Sequence, residues 1–152
     1  MKKINNFIIE KLKLNRKTNI IQYRPQTYKE LRDIIKKLLL ANGWNADLNI
    51  IDTSSIDDMH DLFAAYPNFN GDISDWDVSC VKNMKNMFNG CTEFDCDISN
   101  WDVGAVENMS EMFVMCKKFS CDLNKWNPKS LKNKYNMFLY TPNCKKPEWY
   151  TN

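Results

Sequence analysis

The sequence predicts an α/β solenoid, a stack of short units that each contain one strand, one turn and one helix. Three observations predict this fold class. Tryptophans recur every 25 residues, at Trp76, Trp101 and Trp126. Within each copy, alternating apolar and polar residues are followed by apolar residues at helical spacing. An amphipathic segment with helix-capping residues precedes the first copy, so the stack has a cover at its start.

The repeat emerges when the chain is aligned on itself. The segment 72–78, Asp-Ile-Ser-Asp-Trp-Asp-Val, returns as Asp-Ile-Ser-Asn-Trp-Asp-Val at 97–103 and in a more changed form at 122–128. A first copy at 47–53 fits with Ile51 in the tryptophan column. Periods of 20–29 residues are typical of leucine-rich repeats, whose units must stack to bury their apolar faces. We therefore expect a short leucine-rich-repeat stack of four 25-residue units.

Each unit is expected to contain a strand and then a short helix. Phe94, Cys96 and Ile98 alternate with polar residues, which is the pattern of a strand with one buried face. The apolar residues that follow occupy one face of about two helical turns. These residues are Val106, Met109, Met112 and Phe113.

The segment before the repeats predicts a helical cap. Thr27 and Glu30 form a capping box, apolar residues between 31 and 38 follow at helical spacing, and Gly43 ends the helix. A short strand at 19–23 is expected to precede this helix.

Four regions follow from these patterns. They are a leader peptide at 1–18, the N-terminal cap at 19–46, the four repeats at 47–146 and a C-terminal tail at 147–152. The fourth repeat departs from the pattern as a terminal cap would. Pro142, Pro147, Trp149 and Tyr150 are expected to fold over it.

Charge divides the chain into two parts. Residues 1–46 carry 11 Lys and Arg against 3 Asp and Glu, whereas residues 47–152 carry 10 against 16. The apolar run near the start is too short for a signal peptide, and no run is long enough to span a membrane. We therefore expect a cytoplasmic protein without a signal peptide, with no membrane partner and with reduced cysteines.

The repeat motif resembles a known family. The segments 97–103 and 106–113 (Val-Glu-Asn-Met-Ser-Glu-Met-Phe) resemble the BspA-type repeat of bacterial and mycoplasma surface proteins, over about residues 47–145. The resemblance implies a leucine-rich-repeat solenoid that binds proteins or surfaces and has no catalytic residues. Surface members of that family carry export signals, and we expect none here. The leader at 7–15 resembles leaders of crAss-like bacteriophage proteins, which implies a location in the host cytoplasm or the virion.

The sequence predicts no enzyme. His60 is the only histidine, and its column continues as Lys85, Ser110 and Tyr135, a set typical of a solvated face. A Ser-His-Asp or Cys-His arrangement would have to use His60, and no cysteine is expected beside it. We expect no catalytic residue, no cofactor and no small-molecule substrate.

Four cysteines stand at regular spacing, namely Cys91, Cys96, Cys116 and Cys121. Cys96 and Cys121 replace Gly71 and share parity with the buried Ile98, so their columns favour packing in the core. A tetrathiolate zinc site and disulfides between stacked columns are the alternatives. We expect no bound metal.

Two ladders of aspartates run through the repeats. Asp52, Asp77 and Asp102 are expected to accept hydrogen bonds from turn amides. The other ladder, which begins at Asp47, is expected on an exposed strand face, where it would meet a basic partner or hold a cation such as calcium. Its candidate partner-binding residues are Asp72, Asp97 and Asp122, together with Asp95.

Variable columns offer a second candidate surface, because invariant columns build the repeat itself. Val114, Met115, Leu139 and Tyr140 are apolar where the earlier repeat is polar, so they form a partner-binding patch or pack against one another. In the leader, one face of a short helix would dock into a partner. That face comprises Ile4, Phe7, Ile8 and Leu12.

These observations predict a non-enzymatic protein–protein interaction module that binds a virion or host protein. One alternative is a nucleic-acid-associated protein that uses the basic residues 1–46, which we consider unfavourable because the repeats are acidic. Another alternative is an inhibitor of a bacterial defence factor. We expect a monomer or a weak dimer.

Overall fold

Helix α1 spans Tyr28–Asn42 in the computed structural model, which describes residues 20–64 and 66–151. Thr27 Oγ1 accepts from the Glu30 N–H at 3.2 Å, as in a capping box, and the Glu30 carboxylate accepts from the N–H of Gln26, one residue before the N-cap, at 2.7 Å. Gly43 ends α1 with a φ of 83°. The predicted helix and its two ends are therefore confirmed.

The fold class predicted for the repeats is wrong. Within 20–64 and 66–151, α1 is the one helix, and the repeats consist of turns, bends and isolated parallel β-bridges without a sheet. The segment 106–113, predicted as a helix, is a series of turns, and 94–98 is not a strand. The repeats are therefore not strand–helix units of an α/β solenoid or a leucine-rich-repeat stack. The predicted cap strand is reduced to a single bridge between Tyr23 and Ile51.

Hydrogen bonds between neighbouring repeats explain why the predicted helices do not form. We number the repeats 47–71, 72–96, 97–121 and 122–146. In the second repeat, the Met87 and Cys91 N–H groups close turns onto carbonyls three residues earlier, at 3.2 and 2.9 Å. The Met84 and Phe88 N–H groups instead donate to carbonyls of the third repeat, at 2.8 and 3.0 Å. Every second N–H is thus used between repeats, whereas a helix would use them all within one segment.

The burial pattern predicted from the sequence is confirmed, although the helix predicted for the same residues is wrong. Val106, Met109, Met112 and Phe113 are all fully buried. Overlapping turns return the chain to the same side about every third residue, so they bury the same positions that a helix would bury.

The turns require left-handed backbone conformations at fixed columns. Asp61, Asn86, Glu111 and Asn136 all have φ between 53° and 58°. Such values are unfavourable for most residues with a side chain, and Asn and Asp tolerate them best. Glu111 is the exception in this column.

Replacing Glu111 with Asn is expected to raise the free energy of unfolding by about 0.5–1 kcal/mol, because Asn adopts the left-handed conformation at lower cost. Urea denaturation of the two proteins measures the difference. Glu111→Gln is the control, since it removes the charge without easing the backbone. An equal gain for Glu111→Gln would attribute the effect to charge and contradict the prediction.

Stacked aromatic columns form the core. One column of phenylalanines has ring centroids 5.5–5.6 Å apart: Phe63, Phe88, Phe113 and Phe138. The tryptophan column donates each indole N–H to a backbone carbonyl of the preceding repeat, as Trp101 does to Ile73 at 3.1 Å. These shared contacts and hydrogen bonds bind each repeat to its neighbours, because no repeat buries its rings alone.

The two ends of the stack are covered differently. At the first repeat, the Tyr28 hydroxyl of α1 donates to the His60 carbonyl at 2.6 Å, and the two rings stack with centroids 4.6 Å apart. Behind the fourth repeat, Trp149 continues the tryptophan column 6.3 Å from Trp126, and Tyr150 meets Phe138 edge-on at 5.0 Å. The tail thus folds over the last repeat, as the sequence predicted.

Candidate functional site

Within residues 20–64 and 66–151, a row of backbone N–H groups in the last repeat has no acceptor. Between residues 109 and 115 of the third repeat, every second N–H donates to the fourth repeat, for example Glu111 to the Tyr135 carbonyl at 2.8 Å and Met115 to the Leu139 carbonyl at 3.0 Å. The corresponding N–H groups of the fourth repeat have no hydrogen-bond partner within 20–64 and 66–151. They belong to Lys134, Asn136, Phe138 and Tyr140, and we call this row the C-terminal edge.

An open depression of about 430 Å³ lies along the C-terminal edge. Beyond the edge residues, it is lined by Tyr135, Leu139, Lys146 and Tyr150. Tyr150 helps to hold its wall in place, because its hydroxyl donates to the Lys134 carbonyl at 3.3 Å and its ring lies 5.0 Å from the Lys134 ammonium. The tail therefore shapes this depression while leaving it open.

Apolar side chains are exposed around the depression. Tyr135 and Tyr140 are each 67% exposed, Met115 is 46% exposed and Leu139 is 38% exposed. Val114, which the sequence placed in the same patch, is buried at 7% exposure. Three of the four residues in the predicted apolar patch thus lie at the surface near this end of the stack, and Val114 belongs to the core.

Two of these exposed residues have an unfavourable backbone conformation. Met115 and Tyr140 have φ of 58° and 57°, and the same column holds Gly90, with φ of 79°, in the second repeat. A side chain costs about 1–2 kcal/mol in this conformation. Burial does not fully offset that cost, because both side chains are exposed. Glycine would serve the fold at lower cost, so these side chains have no evident structural purpose.

The charge of the chain reverses at this end. Residues 47–122 carry 4 Lys and Arg against 15 Asp and Glu, whereas residues 123–152 carry 6 Lys against a single Glu. Lys134 and Lys146 line the depression itself. The C-terminal edge is therefore a basic, donor-rich surface on an otherwise acidic stack.

The predicted aspartate surface has a different geometry from the one expected. No strand face exists there, and Asp72, Asp97 and Asp122 each accept the N–H of the residue two positions later, at 2.9–3.0 Å. Burial raises the pKa of Asp72, but hydrogen bonds from Ser74, Asn49 and Cys96 together outweigh burial, and the net pKa is lowered. The Ser99 N–H likewise lowers the pKa of Asp97. The ladder is exposed, as predicted, but the predicted strand is wrong, because these aspartates build turns.

The other aspartates also stabilise the backbone. Asp52, Asp77 and Asp102 accept turn amides at 3.0–3.1 Å, which confirms the prediction for that ladder. Asp95 accepts the N–H of Ser120 in the next repeat at 2.8 Å. Asp95, Asp97 and Asp122 together line a second open depression of about 410 Å³. Their carboxylates already serve hydrogen bonds within the stack.

A third polar ladder was not predicted from the sequence. Asp58, Asn83, Asn108 and Asn133 stand at the parallel bridges between repeats, and each accepts the N–H two positions later. Asp58 also contacts His60 Nδ1 at 2.9 Å. His60 lies half-exposed against α1, beside a carboxylate and a tyrosine. Within 20–64 and 66–151, no three His, Cys, Asp or Glu side chains are grouped so that they could hold a metal ion.

The buried cysteines donate hydrogen bonds to the core backbone. Cys91 Sγ donates to the Phe63 carbonyl at 3.2 Å, and Cys116 Sγ donates to the Phe88 carbonyl at 3.0 Å. In the fourth repeat, Thr141 makes the equivalent bond with its hydroxyl. This pattern confirms core packing for Cys91 and Cys116. Cys96 and Cys121 are only half-buried, and all six cysteines are free.

The leader residues Ile4, Phe7, Ile8 and Leu12 lie outside the described residues. Among helices in the described ranges, none combines the length and apolarity that a membrane span requires. Six residues that line the depression were not predicted as site residues from the sequence: Lys134, Tyr135, Asn136, Phe138, Lys146 and Tyr150. The change from acidic to basic repeats would have drawn attention to the two lysines, whereas Tyr135 was assigned to a solvated column.

Comparison with known proteins places the repeats in a family. Residues 31–149 match the model of a family described as "Mycoplasma protein of unknown function, DUF285". No curated protein and no solved structure matches the chain. The match agrees with the resemblance drawn from the repeat motif, and it does not include the leader.

Proposed function

The chain belongs to the DUF285 family, and from that premise we propose that it is a non-enzymatic module that binds a protein partner through its C-terminal edge. The proposed contact surface combines the edge with the exposed apolar side chains beside it, chiefly Met115, Leu139 and Tyr140. Exposed apolar side chains grouped within a polar rim are typical of protein-interaction sites.

The observation that carries this proposal is the column of Gly90, Met115 and Tyr140. All three residues have positive φ, and the second repeat satisfies that requirement with glycine. Bulky side chains in strained conformations persist where something other than folding retains them. Tyrosine and methionine are both enriched at protein interfaces, where large side chains gain contact area on binding.

The test is a double substitution, Met115→Gly with Tyr140→Gly, which removes both side chains and relieves the backbone. We expect the variant to be at least as stable as the parent in urea denaturation and to lose its partner. The readout is the set of proteins that the immobilised full chain captures from a bacterial lysate, quantified for each variant side by side. Leu40→Ala is the matched control, because Leu40 is 78% exposed on α1 at the other end of the stack.

Proteins captured by the parent and by Leu40→Ala, but not by the double variant, would support the proposal. An unchanged set of captured proteins in a folded double variant would refute it, because the exposed side chains would then have no part in binding.

A further inference from the structure

We propose that the partner segment at the C-terminal edge is an extended acidic peptide whose oxygen atoms accept hydrogen bonds from the N–H groups of the edge. This inference rests on the proposed function and specifies the chemistry of the partner. It follows from the direction of the hydrogen bonds between repeats, from the charge at the last repeat and from the spacing of the donors.

Backbone hydrogen bonds between residues 109–115 and the fourth repeat run in one direction. The N–H groups of Met109, Glu111, Phe113 and Met115 donate to the fourth repeat, whose Asn133, Tyr135, Met137 and Leu139 carbonyls accept them. Those acceptors are therefore already used. The row of N–H groups that remains at the edge offers donors only, so it is suited to a ligand that supplies acceptors.

A second copy of the chain does not supply them. The end of the stack that presents carbonyls is covered by α1, where the Tyr28 hydroxyl occupies the His60 carbonyl at 2.6 Å. Two C-terminal edges facing each other would oppose donor to donor. An ordinary β-strand is also a poor match, because it presents N–H groups as well as carbonyls along its edge.

Carboxylates satisfy both the donors and the lysines. Lys134 and Lys146 flank the depression, and a hydrogen bond from an N–H to a carboxylate is stronger than one to a neutral acceptor. The donors recur at every second residue, from 134 to 140. In an extended peptide every second side chain lies on the same face. A segment with acidic residues at alternate positions would therefore direct its carboxylates to the donors.

The test is an NMR titration of the isotope-labelled full chain with a defined probe. The probe is a terminally blocked peptide with the sequence Ser-Glu-Val-Glu-Val-Glu-Val-Glu-Ser, and its control replaces each Glu with Lys. We expect the acidic probe to shift the amide signals of Lys134, Asn136, Phe138 and Tyr140 and to slow their hydrogen exchange. The Lys-containing control should bind more weakly by at least about tenfold.

Charge reversal supplies the matched variants. Lys134→Glu combined with Lys146→Glu should weaken binding of the acidic probe on the order of tenfold. Lys129→Glu should leave it unchanged, because Lys129 is exposed in the same repeat but does not line the depression. Equal loss with Lys129→Glu would show that only overall charge matters and would overturn the proposal.

Three further outcomes would also overturn it. Equal or tighter binding of oligothymidylate to the same amides would identify a nucleic-acid surface. Slow exchange of the four amides in the free chain would mean that a segment of the chain itself covers the edge. Absence of binding by the acidic probe, while Met115→Gly with Tyr140→Gly still abolishes partner capture, would reject the acidic peptide but leave the proposed function standing.

Discussion

Replacing Trp101 with Ala is expected to lower the free energy of unfolding by about 3–5 kcal/mol, which is the range for removing a large buried aromatic side chain. Trp101 is 4% exposed and stacks on Trp126 with ring centroids 6.4 Å apart. Its indole N–H donates to the Ile73 carbonyl in the preceding repeat at 3.1 Å. The substitution therefore leaves a cavity between repeats and removes the donor from a carbonyl. The free energy of unfolding of a domain is typically only about 5–15 kcal/mol, so this single change would remove much of that stability.

Two further variants separate packing from hydrogen bonding. Trp101→Phe keeps an aromatic ring but removes the donor, and we expect a loss of about 1–3 kcal/mol. Trp149→Ala should cost less than Trp101→Ala, because Trp149 is only half-buried at the end of the column. Urea denaturation followed by far-ultraviolet circular dichroism measures all three. A loss below about 1 kcal/mol for Trp101→Ala would show that the column does not hold the repeats together.

The sequence predicted which residues are buried far better than it predicted secondary structure. Spacings of three and four residues put Val106, Met109 and Met112 on one side of a helix, but overlapping turns bury the same residues. The difference lies in where the backbone N–H groups donate. A helix closes those bonds within one segment, whereas this chain sends every second one to the next repeat. Side-chain periodicity carries no information on that choice.

The left-handed columns were also beyond sequence reasoning. Glycine and asparagine suggest positive φ at Gly90 and Asn86, but Met115 and Tyr140 do not. Only alignment of the repeats, with Gly90 in the same column, hints that these two residues share its conformation. The two aspartate ladders could not be distinguished from the sequence either, because they have the same composition and both cap turns.

The exposed apolar side chains of the candidate site were predictable from the sequence, whereas its backbone donors were not. The shift from polar to apolar residues in two columns located Met115, Leu139 and Tyr140, although Val114 turned inward. The donor row at the C-terminal edge consists of main-chain groups, which every residue except proline has. Whether such groups are paired depends on which segment lies beside them, so the edge is visible only in the folded chain.

Raising the pH above about 9 is expected to destabilise the fold steeply through its buried thiols. Burial raises the pKa of the Cys91 thiol to about 12 and raises that of Cys116 further. An exposed thiol titrates at roughly 8.5. As the pH rises, the unfolded chain therefore loses these protons before the folded chain does. The stabilisation is complete below about pH 8.5, and it is lost progressively as the pH rises toward the folded-state values.

The expected loss is large because two deeply buried thiols act together. Each contributes about 1.4 kcal/mol for every pH unit above the unfolded pKa, or about 3 kcal/mol per unit for the pair. By roughly pH 10.5 the pair would have removed on the order of 5 kcal/mol, comparable to the stability of many domains. Chemical denaturation at pH 7.5, 9 and 10.5 under reducing conditions measures this dependence.

The repeat supplies its own control for this prediction. Thr141 occupies the cysteine column in the fourth repeat and donates its hydroxyl to the Phe113 carbonyl, as Cys116 donates its thiol to Phe88. Cys91→Thr with Cys116→Thr therefore keeps the hydrogen bonds but removes both titrations, and it should flatten the fall in stability between pH 9 and 10.5. Burial also raises the pKa of Cys96, Cys121 and Cys144 to about 11, but these thiols are present in both proteins, so their contribution cancels in the comparison. If parent and variant lose stability in parallel, the thiols are not the groups responsible, and the burial of Cys91 and Cys116 does not control the alkaline limit of this fold.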